Sequence, residues 1–213
     1  MRVIFFYAFF SFLNDLASLY LPRYVFFKDI STDSLLIALF TLVEFSVFGI
    51  IYYSILLKRT SKRIFLGLII VYITFFLYYF LRTLLSSESL ETFNSHTLTL
   101  SAIILIISSI IYLFEQIQKQ EVVFIYSQYE FWIVIGIMIY FSGTFFLFLQ
   151  YYELSPNEQS NFWIINLICN ILKNISLFIA CYLSLSNQVN SKNRLFTENN
   201  STLENNYTTN PFQ

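Results

Sequence analysis

The chain has 213 residues, 57% of them hydrophobic, 21% aromatic and only 12% charged, with a net charge of −1. A water-soluble protein of this length has no single core able to hide so much apolar surface, so the composition points to the membrane. The near-zero charge, with no basic block or stripe, gives nucleic-acid binding no electrostatic footing.

The first apolar run, Val3–Leu21, follows Arg2 and resembles a signal sequence in outline. It has no small-x-small cleavage site, and Asn14–Asp15 interrupts the place where one belongs, so the expectation is a retained helix. Further runs of spanning length follow at Ser34–Leu57, Ile64–Leu81, Thr97–Phe114, Phe131–Gln150 and Phe162–Ser184. Charge, proline or polar clusters separate them. None alternates with the period of a barrel strand, so the fold class is all-α: a polytopic transmembrane bundle of about six spans over residues 1–184. Residues 185–213, rich in Asn, Ser and Thr, read as a disordered cytoplasmic tail. The loops leave no room for a soluble catalytic, nucleotide-binding or sensor domain.

Lys and Arg set the orientation. Arg2, Lys58, Arg59, Lys62, Arg63, Lys119, Lys192 and Arg194 fall on one side, against Arg23, Lys28 and Arg82 on the other. The expected location is the inner (plasma) membrane with both termini cytoplasmic. Trp163 and the Phe131–Trp132 pair fall at segment ends, where aromatic belts form and where packing between helices is an equal alternative.

The most informative residues are the polar ones inside the apolar runs. Glu44 stands ten residues into the second segment and Lys173 eleven into the sixth, and both segments enter from the same side. At about 1.5 Å per residue their backbones lie within a few ångströms in depth. A lone charge at mid-bilayer costs about 2.5–3.5 kcal/mol, and pairing removes much of that. The depth argument therefore predicts a Glu44–Lys173 ion pair. Asp15, with Ser11 and Ser18 on its helical face, is expected to join it or to reach Arg82. Asn166, Asn170 and Asn174 recur every four residues beside Lys173, and the stripe is expected to face the bundle interior. These groups act either as glue between helices or as the lining of a ligand, proton or ion path. In the fifth segment Gly136, Tyr140 and Gly143 share a face; close helix packing is the expected role, with Tyr140 in a polar pocket as the alternative.

Enzyme chemistry finds little support. His96 is the single histidine, so it has no second imidazole with which to share a metal. Cys169 and Cys181 sit twelve residues apart on one helix, about 18 Å, too far for a disulfide. Four glycines in all leave no phosphate-cradling loop, and no cofactor is expected. Lys173 in the last helix invites comparison with retinal attachment, but Cys169 stands where a carboxylate would be required.

Residues 131–143, "FWIVIGIMIYFSG", together with the Asn-bearing last helix, resemble a group of small polytopic membrane proteins associated with Bacteroidota. The shared pattern is Phe131–Trp132, Gly136, then Tyr140–Phe141–Ser142–Gly143. The resemblance runs loosely from the first helix to Ser184; members of the group carry one further helix upstream, giving seven, and this chain departs from them by starting directly at its "FFYAFFSFLNDLAS" segment. The resemblance implies no catalytic residues, and an association with sensor histidine kinases. The leading expectation is accordingly a sensory or signalling accessory that works through a membrane partner. The alternative is a small transporter or channel subunit using Glu44, Lys173 and Asp15 as a proton or ion path.

Overall fold

A computed structural model describes residues 3–4, 6–7, 9–11, 13, 32–85, 90–119, 125–150 and 164–187. Among these, all regular structure is helical. The described residues between 3 and 13 belong to helix α1. They are followed by α2 (Thr32–Ile55), α3 (Arg59–Leu85), α4 (Leu90–Ile117), α5 (Tyr129–Gln150) and α6 (Ile164–Asn187). Helices α2 to α6 are each long and apolar enough to cross a membrane. The chain is thus an all-α bundle of membrane-spanning character.

Element boundaries differ from the sequence expectation in one direction. The α3 helix begins at Arg59 and runs to Leu85, and α4 begins at Leu90, so most of the polar stretch expected as a loop between them is helical. Polar residues end an apolar run, but they do not end a helix whose backbone bonds are satisfied within the segment. His96 consequently sits on α4, exposed, its ring 5.4 Å from that of Tyr79. Likewise α6 continues to Asn187, and the remainder of the expected tail lies outside the described residues.

Helix α4 is central, packing against α2, α3 and α5. Half of the spans of α2 and α4 is buried, against 11% for α3 and 28% for α6, so these last two are peripheral. In α2 the buried positions Thr41, Glu44, Phe45, Phe48, Ile51 and Tyr52 recur at helical spacing, with Leu42, Ser46, Ile50 and Tyr53 turned outward. Aromatic rings fill the contacts. Phe45 stacks on Tyr72 of α3 at 3.8 Å between centroids, and Phe48 meets Phe141 of α5 edge-on at 6.0 Å. On α1, Tyr7 lies against Phe48 at 4.7 Å and Phe10 stacks with Phe40 at 6.0 Å. These two pairs set α1 antiparallel to α2.

Hydrophobic transfer cannot hold membrane helices to one another, because lipid is as apolar as leucine; close packing and polar bonds do so instead. The hydroxyls of Thr41, Ser108, Thr144 and Ser176 donate to carbonyls four residues back on their own helices. Ser109 gives its proton to the Leu105 carbonyl, so the Tyr52 hydroxyl, 2.6 Å away, is the donor in the bond that joins α2 to α4. At the sharp α2–α3 turn the buried Glu115 carboxylate of α4 accepts from the amides of Leu57 (2.9 Å) and Lys58 (3.2 Å), while Lys58 Nζ bonds to Gln118. These two amides precede the first residue of α3, so the Glu115 carboxylate ties the connecting turn to α4 and satisfies donors that neither helix pairs.

Candidate functional site: a buried junction of three helices

Helices α1, α2 and α6 meet at one polar point. Glu44 and Lys173 face each other with Nζ 3.5 Å from Oε1, each residue only 2% exposed. The fold thus brings together the two ions that helical rise sets at one depth. Between them lies a residue that depth alone does not single out. The Tyr7 hydroxyl donates to Glu44 Oε1 at 2.5 Å and accepts from Lys173 Nζ at 2.7 Å. The phenol is the better-made bond to each ion, and the direct contact between the ions is the longer one. Charge-assisted bonds of this kind run shorter and stronger than neutral ones.

The ammonium is held from a further side. Tyr140 of α5 places its ring face 3.8 Å from Lys173 Nζ, and the ring of Tyr7 lies 5.2 Å away. A desolvated cation over an aromatic face gains about 2 kcal/mol. Tyr140 therefore reaches the polar junction through its ring, while its neighbours on the same face serve packing. A Cβ on Gly136 would stand 2.8 Å from Ser176 Cβ and 3.2 Å from the Lys173 carbonyl oxygen; one on Gly143 would collide with Cys169 Sγ. The two glycines let α5 approach α6 closely enough for Tyr140 to underlie Lys173. Cys169 and Cys181 are free thiols.

The asparagine stripe divides. Lys173 shares its face with Cys169, Ser176, Leu177, Ala180 and Ser184, all buried. Asn166 and Asn170 are half-buried at the edge of this face, and Asn166 Oδ1 is buried without a hydrogen-bond partner. Asn174 is exposed, which corrects the expectation of one inward stripe. A step of four residues overshoots the helical turn by about 40°, so residues eight apart end about 80° round the helix. Lys173, three from Asn170, falls back toward the core.

Asp15 lies outside the described residues, as do Asn14, Ser18 and Trp163. Arg82 is exposed in the last turn of α3, and Trp132 Nε1 donates to the Tyr126 carbonyl at 2.8 Å at the start of α5. A partial clue to Tyr7 was available, since a phenol in "FFYAFF" brings a hydroxyl into oil and needs a partner there. On α3, the buried Tyr72 hydroxyl has no hydrogen-bond partner and sits within electrostatic reach of Glu44. Among the described residues no group of three or more His, Cys, Asp or Glu is placed to hold a metal ion.

Chemically, the junction contains a carboxylate, a phenol and an ammonium in one buried hydrogen-bonded line. It can share a proton along that line, or it can open and release three helices from one another. Compared with known proteins, the chain matches no family model, no curated protein and no solved structure.

Proposed function

We propose that the protein is a multi-pass inner-membrane protein, with both termini cytoplasmic, that serves as a sensory or signalling accessory to a membrane partner such as a sensor kinase. One observation carries the reading: Glu44, Tyr7 and Lys173 tie α1, α2 and α6 together through a single buried polar line. Opening this one line would release three helices from one another at once, which is the kind of element a switch uses. The turn joining α2 to α3 is only three residues long, so a change at the junction passes directly into neighbouring helices.

The test compares wild type with Glu44→Gln in the full chain. In native membranes, site-specific photo-crosslinks on α3 should capture a membrane signalling protein, and the capture yield should change several-fold in the variant. Reconstitution into liposomes with an internal pH dye should show no Glu44-dependent proton uptake. Uptake abolished by Glu44→Gln would overturn the signalling reading and make the junction a transport path.

A further inference from the structure

Helix α6 carries a second ordered face. Turned about a third of a revolution from the buried one, it displays Leu167, Asn170, Asn174, Phe178, Cys181 and Leu185, at successive steps of three or four residues. Leu167, Asn174, Phe178 and Leu185 are exposed, while Asn170 and Cys181 are half-buried. The steps average the helical period, so these residues form one straight stripe along α6 with an amide at its centre. Asn174 follows Lys173 directly, so it stands at the depth of the buried ion pair, far from either end of the span. Its side chain makes no hydrogen bond to any described residue. An amide facing hydrocarbon leaves two donors and an acceptor without water, a cost that a partner helix removes.

We propose that this seam is a homodimer interface, in which α6 of one copy packs in parallel against α6 of a second and Asn174 bonds to its own counterpart. A second copy is the occupant because the amide is donor and acceptor at once. A two-fold axis along the membrane normal sets the same residue opposite itself and satisfies both halves. The flanking Leu167, Phe178 and Leu185 supply packing on either side. This interface lies apart from the Glu44–Tyr7–Lys173 junction and does not depend on the signalling role.

The chain contains its own reporter. Cys181 lies seven residues, two turns, beyond Asn174 on the seam, so the two thiols of a dimer face each other. Cys169 is buried against Gly143 on the inward face and is out of reach of a second copy. Oxidation of native membranes with copper phenanthroline should give a disulfide-linked dimer for wild type and Cys169→Ser, and none for Cys181→Ser. A Phe178→Cys, Cys181→Ser double variant should restore it, which guards against a strained geometry at Cys181. Asn174→Leu, at an exposed position, should leave the thermal unfolding midpoint unchanged and lower the dimer yield about five- to tenfold; Asn174→Gln should keep most of it. Absence of a dimer in both thiol positions, or a yield indifferent to Asn174→Leu, would overturn the proposal. So would capture of a different protein at these thiols in place of a second copy.

Discussion

Consider replacing the junction by oil in steps. Lys173→Met takes the ammonium from the buried Glu44–Tyr7 pair, and Glu44→Leu takes the Glu44 carboxylate from the ammonium that Tyr7 and the Tyr140 ring hold. Breaking one side of a buried pair costs about 3–5 kcal/mol, because the remaining ion has lost its counter-charge. Two independent losses would sum to about 6–10 kcal/mol. The double variant should instead lie near wild type, since exchanging a whole buried pair for apolar side chains is often neutral or stabilising by about 1–4 kcal/mol. One residual penalty stays: the Tyr7 hydroxyl, 2% exposed, has lost its bonds to both of these ions, at about 1–3 kcal/mol. Adding Tyr7→Phe removes it, so the triple variant should be the most stable of the series. The measurement is equilibrium unfolding in mixed micelles, followed by the near-ultraviolet signal of the buried tyrosines. Additive losses in the double variant would refute the reasoning, because they would mean that Glu44 and Lys173 are satisfied by separate partners. A triple variant weaker than the double would refute the bridging role of Tyr7.

Gly143→Ala should cost about 1–3 kcal/mol by driving a methyl into Cys169 Sγ, and Cys169→Ala in the same chain should recover most of it. Gly136→Ala should resist such rescue by Ser176→Gly, since the Lys173 carbonyl oxygen also crowds that methyl; thermal melts of the four variants separate the cases. Glu115→Ala should speed amide exchange at Leu57 and Lys58 and destabilise the α2–α3 turn by about 1–2 kcal/mol, with exchange at the far end of α3 unchanged. Charge exchange, Glu44→Lys with Lys173→Glu, should yield more folded protein than either single change. Reporter fusions after Leu57 and Tyr152 should be active only on the cytoplasmic and the outer side respectively, and a cytoplasmic signal at Tyr152 would invert the orientation.

The spans and the ion pair were legible because both follow from lengths. An apolar run long enough to cross a bilayer has few other uses, and helical rise turns residue counts into depth. Depth says nothing about rotation, and there the reading fell short. Asn174 shares the spacing of Asn166 and Asn170 but has drifted off their face. Tyr7 was hidden for a different reason: among so many rings, a hydroxyl is distinguished only by what it meets in space. Glu115 stands just beyond the apolar run Thr97–Phe114, where charge marks the end of a span, yet it is buried inside α4 and serves the backbone of another turn. Its partners are amides, which carry no signature of sequence.

The order in which the junction's members leave the ribosome gives it a history. Tyr7 and Glu44 lie 37 residues apart, so their bond is available as soon as the first two helices are side by side. Lys173 comes last, 166 residues after Tyr7. At about 5–20 residues per second, the carboxylate waits roughly 6–26 seconds in the membrane before its counter-charge is made. Tyr7 is already synthesised through that interval, so its phenol is available to the carboxylate before the ammonium is. A carboxylate and a phenol that come from the N-terminal half of the chain thus set the place that Lys173 of α6 has to find.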